Sequence, residues 1–178
     1  MKSLPGFRML SLRFLPRRGL IMRYLLSLFL FFAAAPATAE ELNAAEDLAA
    51  LGQRAASENK AILVFYYQPK CHYCEAVRKS FLRPILGNPS YSDRLFLRKV
   101  NIQSADNDVR DFDGQETTHA GLAQKADVGL TPTVAFYGPE GSELADSLVG
   151  LKGGRDYYGH YLDKGIDTAA RAVTDGDS

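Results

Sequence analysis

The stretch "AILVFYYQPKCHYCEAV", residues 61–77, constrains this chain more than any other. Its first seven residues are continuously apolar, with β-branched and aromatic side chains, the pattern of a strand buried on both faces. Such a strand needs a layer packed on each side of its sheet. Gln68-Pro69-Lys70 breaks the run, and the only two cysteines of the chain follow, as Cys71-His72-Tyr73-Cys74. From His72 to about Leu82 the apolar spacing becomes helical, through Ala76, Val77, Phe81 and Leu82. The cysteines thus sit where a buried strand hands over to a helix.

The N-terminal segment bears on how those cysteines are read. Residues 1–39 carry six basic side chains and no acid, which leaves 15 basic against 21 acidic in the remainder, a net of −6. Arg23 precedes the apolar run "YLLSLFLFFAAA" at 24–35, and "PATAE" follows with Ala37 and Ala39 in small-x-small order. This reads as a secretory signal peptide over residues 1–39, cleaved before Glu40, with Met22 as an alternative start. The apolar core is shorter than the roughly 20 residues of a membrane span. The expected compartment lies outside the cytosol, where disulfides persist. A body with net charge −6 is no nucleic-acid binder of the ordinary basic kind.

Residues 40–178 are expected to form one domain, long enough for a hydrophobic core of its own. A bridge between cysteines three apart closes a very small loop and restrains the chain little. A structural staple is therefore a poor reading. One C-x-x-C supplies two thiolates where structural zinc needs four ligands. Copper(I), which accepts two soft thiolates, stays open as an alternative. The segment "DVRDFDG", 108–114, lacks ligands at the first and twelfth positions of a calcium loop and reads as a solvated acidic loop.

The remaining pattern gives helix 42–57, with Asn43 and Glu46 as a capping box. It then gives strand 61–67, a helix from His72 that Pro84 kinks or ends, a turn at 87–90 and strand 95–102. A polar loop covers 103–117. Helix 119–126, strand 133–137, a turn at 138–142, strand 143–150 and helix 155–172 complete the chain. Alternation at the front implies parallel strands with crossover helices, and the final strands form an antiparallel hairpin.

At the helix start, unpaired amides carry partial positive charge and favour a thiolate. Cys71 is therefore expected to be the nucleophile. Cys74, one turn on and more buried, is expected to resolve the mixed disulfide. A protonated His72 would add positive charge beside the thiolate, or else simply face solvent. Tyr73 is expected to shape the surface.

The strand–CxxC–helix unit, taken with "GLTPTVAFYGPEG" at 129–141, resembles the thioredoxin superfamily over roughly residues 42–172. The resemblance implies a thioredoxin fold of class α/β, with a central mixed sheet flanked by helices. It implies a cis bond before Pro132, with Pro132 packed beside the cysteines and Thr131 presenting its backbone to an extended substrate peptide. Among relatives the chain looks most like exported bacterial thioredoxin-like reductases of the sulfur-oxidation and cytochrome-maturation type. Two departures stand out. Phe65 occupies the position of the family's buried acid, six residues before the first cysteine, and the chain has no Trp. Lys99 matches the lysine that faces that acid. Here it is left to pair with Glu75 or to face solvent, and the second is favoured because buried lysine is rare. Proton handling near Cys74 thus falls to Lys99 and Glu75.

The expected activity is reduction of disulfides in periplasmic client proteins by dithiol exchange, with a membrane thiol-electron transporter as reductant. No nicotinamide or flavin motif is present, so no cofactor is expected beyond the Cys71–Cys74 pair. The chain is expected to act as a monomer. Disulfide oxidase, disulfide isomerase and copper-binding chaperone are the alternatives. Family oxidases carry a large helical insertion before the proline, and isomerases carry a separate dimerisation domain.

Overall fold

A computed structural model of the chain describes residues 42–106 and 108–176. The expected export segment, residues 1–39, lies outside them. Strand β1, Ala61–Tyr67, is where the apolar run places it. It is flanked by β2, Leu95–Asn101, and β5, Thr133–Tyr137. The central sheet is completed by β6, Glu143–Val149, in the order β2-β1-β5-β6. β2 lies parallel to β1, with Phe65 opposite Lys99, whereas β5 runs antiparallel to β1 and β6 antiparallel to β5. β5 is therefore a central strand and the hairpin's outer arm is the edge. The reason lies in composition: all five residues of β5 are buried, whereas all but one residue of β6 are exposed or half-exposed.

Side chains alternate across β1, and each parity feeds a separate core. Leu63 and Phe65 join Val134, Phe136 and Cys74 on one face. Ile62, Val64 and Tyr66 join Ala135 and Tyr137 on the other. Helix α6, Arg155–Asp175, covers the first face with Tyr158, Leu162, Ile166 and Ala169 at helical spacing. It lies so close that a Cβ on Gly165 would run into the Phe136 ring. Helices α1, Leu48–Glu58, and α5, His119–Lys125, contribute to the second face. Each fully buried Leu, Ile, Val or Phe contributes about 1.5–3 kcal/mol.

Four local expectations change. Helix α1 begins at Leu48, not at residue 42, with Asp47 as its cap accepting from the Ala50 amide at 2.7 Å. The preceding residues are extended along the edge of β2, where Lys99 N–H donates to Asn43 O and Ala45 N–H to Lys99 O. Those ladder bonds replace the expected capping box. The helix after the cysteines also passes Pro84. It runs as α2, His72–Val77, widens into a π turn at Arg78–Leu82 and continues as α3, Arg83–Leu86. The Arg83 N–H reaches back five residues to Arg78 O. Pro84 then falls in the first turn of α3, where a missing N–H costs little. Residues 87–90 lead into one short helix, α4, Pro89–Ser92, capped by Asn88.

The polar segment 103–117 is not a solvated loop throughout. It folds into a ribbon of β3, Asp108–Arg110, and β4, Glu116–Thr118. Asp111 is 3% exposed and accepts from the amides of Asp113 and Gln115 and from Lys125 Nζ. Burial pushes its carboxyl up. The Lys125 ammonium and those amides outweigh that and hold it below the usual carboxylate range. His119, also buried, binds Ala45 O through Nε2 at 2.8 Å and accepts from Asn101 N–H at Nδ1. That pairing fits a neutral ring with its proton on Nε2, and it ties α5 to the extended segment along β2.

Candidate active site

Cys71 caps helix α2 with extended backbone, and Cys74 follows one turn later. The two are joined as a disulfide, with Cα atoms 5.2 Å apart. Cys71 is partly exposed, whereas Cys74 is buried in the core with Phe65 and Val134. The Cys71 Sγ accepts two hydrogen bonds. The Cys74 amide donates at 3.1 Å and the Thr131 hydroxyl at 3.8 Å. Both are aimed where negative charge collects when the bond is reduced, so both favour a Cys71 thiolate. Of the two sulfurs, only that of Cys71 is open to a group arriving from outside.

Thr131 comes from a part of the chain sixty residues away. The Thr131–Pro132 bond is cis, and the Pro132 carbonyl accepts from Gly150 N–H at 2.8 Å. The family resemblance implies a backbone role alone for Thr131; its hydroxyl contact with Cys71 is additional. Nothing in the primary structure signals that contact, because it depends on how β5 enters the sheet.

The other candidates scatter. His72 is exposed, and Tyr73 is 60% exposed with its ring edge-on to His72. Tyr73 and Leu130, the latter 68% exposed, leave apolar surface open on the cysteine helix and just before Thr131. Glu75 does not turn towards β2. Its carboxylate holds Arg78 at 2.8 Å and Lys79 at 2.8 Å, the partners that three- and four-residue helical spacing brings nearest. Lys79 first, then Arg78, lowers its pKa to about 2.

Lys99 is half-buried and lines a cleft of about 590 Å³ with Phe65, Tyr67, Lys70, Cys71 and Cys74. Phe65 and Tyr67 stack with centroids 5.8 Å apart. Phe65 is 1% exposed, so the position of the family's acid is filled by a ring of the core. Among the described residues, no cluster of three or more His, Cys, Asp or Glu side chains is placed to hold a metal ion.

A solved structure described as a DsbH oxidoreductase superposes with a TM-score of 0.51 at 16% identity, over 76% of this chain and 92% of that one. Thioredoxin from Malassezia sympodialis gives 0.45 at 18% identity, over 72% of this chain and 92% of its own. Mitochondrial thioredoxin 3 from Saccharomyces cerevisiae, in its oxidised form, gives 0.46 at 17%, over 71% and 93%. No curated protein sequence matches the chain. The family described as the thioredoxin-like domain matches residues 50–165. That span holds both cysteines, Thr131, Pro132 and every strand of the central sheet, and the chain belongs to the thioredoxin-like family.

Proposed function

We propose that the protein is an exported thiol–disulfide oxidoreductase that works as a reductase on disulfides of periplasmic client proteins. The observation that carries this reading is the asymmetric pair: a partly exposed Cys71 Sγ with two donors on it, bonded to a buried Cys74. In the reduced protein, the Cys71 thiolate attacks one sulfur of a client disulfide. A mixed disulfide forms and the first client sulfur leaves as a thiolate. Cys74 gives up its proton, attacks Cys71 Sγ and restores the Cys71–Cys74 bond, releasing the second client sulfur. Two electrons pass from the cysteine pair to the client. The Cys74 proton ends on one client thiol, and solvent supplies the other where pH requires it. A membrane thiol-electron transporter returns the pair to the dithiol.

Direction is favoured by what surrounds the site. The segment before Pro132 is the β3–β4 ribbon and a seven-residue helix, unlike the large helical insertion of family oxidases. The residue before Cys74 is Tyr73, not the His of strongly oxidising relatives. Cys71→Ser is expected to abolish disulfide reduction, and Cys74→Ser to accumulate a mixed disulfide with client. A reduction potential near that of thioredoxin, roughly −270 mV, is expected; one near −120 mV sinks the reductase reading. Stoichiometric copper on the purified protein, lost with Cys71→Ser, would replace redox exchange by metal carriage.

A further inference from the structure

Of the three histidines, His72 and His160 are exposed, whereas His119 is 4% exposed. Both of its ring nitrogens are committed, to backbone groups of opposite kind. Nε2–H donates to Ala45 O at 2.8 Å, and Nδ1 accepts from Asn101 N–H at 3.3 Å. Only the neutral ring satisfies both, because a protonated imidazole is a donor at each nitrogen. A second proton would set Nδ1–H against Asn101 N–H, donor facing donor. A buried charge is costly unless it is paired.

No counter-charge is placed to offset that cost. Asp47 and Glu116 reach Arg110, and Lys125 reaches Asp111 and Asp113. The other charged residues of the surrounding elements are Glu46 beside Asp47, Arg98 and Lys99 on β2, and Asp106 and Asp108 beyond it. Among the described residues, none of these forms an ion pair with the His119 ring. His119 is also the first residue of α5, where the partial positive charge of a helix start opposes a cation.

The ring holds the strap formed by residues 42–47, which is hydrogen bonded on two sides. Towards the central sheet, Ala45 N–H donates to Lys99 O and Lys99 N–H to Asn43 O. Towards the ribbon, Arg110 N–H donates to Glu46 O. The strap thus joins β2 to β3, and His119 grips it at Ala45 while gripping β2 at Asn101. Lys99, whose backbone the strap pairs with, lines the cleft beside the disulfide.

We propose that His119 is an acid-sensitive clip: in mild acid its ring takes a second proton from solvent, lets go of the Asn101 amide and frees the strap 42–47 from β2. The open form binds one proton more than the closed form, so a falling pH favours opening. A free imidazole titrates near about pH 6.5, above the ordinary range of the carboxylates on the strap and ribbon. Opening leaves the Lys99 N–H and C=O unpaired at the edge of β2, one strand away from β1. The inference goes beyond the reductase reading and does not rest on it.

Hydrogen exchange of the full chain, read amide by amide and divided by intrinsic rates, tests the clip. Between about pH 7.5 and about pH 5, protection of the Ala45, Lys99 and Asn101 amides is expected to fall roughly ten- to thirtyfold, the limit for an imidazole that titrates only when open. The amides of β1 are expected to stay better protected than these three throughout. His119→Gln, which can donate and accept but not titrate, is expected to flatten the fall. Protection of the three amides that does not change with pH overturns the inference. So does exchange of the three at the rate of the β1 amides, because the strap then leaves only when the whole domain unfolds. A fall that persists in His119→Gln assigns the proton to another group and refutes the clip. Where that variant does not fold, the three amides of the parent, compared with those of β1, decide.

Discussion

Replacing Thr131 by Val keeps the shape of the side chain and deletes one hydroxyl. That hydroxyl donates to Cys71 Sγ at 3.8 Å, beside the shorter donation from the Cys74 amide. Sulfur in a disulfide is a weak acceptor, whereas a thiolate carries a full charge. The bond therefore stabilises the reduced form more than the oxidised one. Hydrogen bonds to charged groups contribute about 1.5–3 kcal/mol, and a long one at a partly exposed sulfur falls near 1 kcal/mol. With 30 mV equal to 1.4 kcal/mol for a two-electron couple, Thr131→Val should move the potential about 20 mV more negative. That is roughly a fivefold change in the equilibrium constant. Direct equilibration of parent and variant against the same thioredoxin, with both redox forms quantified, resolves a shift of this size. The reduced variant should also react more slowly with an alkylating agent near neutral pH, because less thiolate is present. A potential unchanged to within about 5 mV, or one shifted to less negative values, would refute the assignment of that hydroxyl to the thiolate.

Two tyrosines give opposite outcomes for one chemical change. Tyr158 is fully buried against Phe81, its hydroxyl has no partner among the described residues, and burial pushes its pKa well above the ordinary value. Tyr158→Phe keeps the ring and should raise stability by about 1 kcal/mol in urea unfolding, whereas Tyr66→Phe should lower it by about as much. The Tyr66 hydroxyl meets that of Tyr137 at 3.1 Å, so its loss orphans a second buried group. The same sign for both would contradict this account. Glu75 sets a pH dependence. Its folded pKa is depressed from 4.5 to about 2, so its pairing stabilises the helix above the unfolded value and is lost as pH falls through about 2. Acid unfolding of Glu75→Gln should be flatter than that of the parent between those limits; parallel curves would mean the pairs with Lys79 and Arg78 contribute nothing.

The central elements were legible because they obey local rules. The run Ala61–Tyr67 is apolar at every position and Thr133–Tyr137 nearly so, and both strands begin and end where the sequence pattern places them. The dithiol at the strand–helix junction was equally legible, because both cysteines lie within one short segment. Chain order and the C-x-x-C with Thr131-Pro132 placed the fold in its family. The misread pieces depend on partners distant in sequence. Residues 42–47 carry helical spacing, but the open edge of β2 binds their backbone and draws them into extended form. Pro84 should have stopped a helix, but a π turn upstream realigned the chain around it. Asp111 looked like one acid among several in a loop, until Lys125 and two loop amides enclosed it.

By itself the sequence determined the sheet's central strands, the identity of the reactive pair and the loss of the buried acid at Phe65. Each is settled by residues that are neighbours in the chain, where spacing and side-chain type carry the information. Tertiary structure alone decided that the Thr131 hydroxyl reaches Cys71. It also decided that Lys70, Arg78 and Lys99 share one cleft with the disulfide. Those facts follow from β1 lying between β2 and β5. Hydrogen bonding in that order brings Lys99 and Thr131, 28 and 60 positions from Cys71, to the side of the cysteines, and no local pattern encodes such a distance.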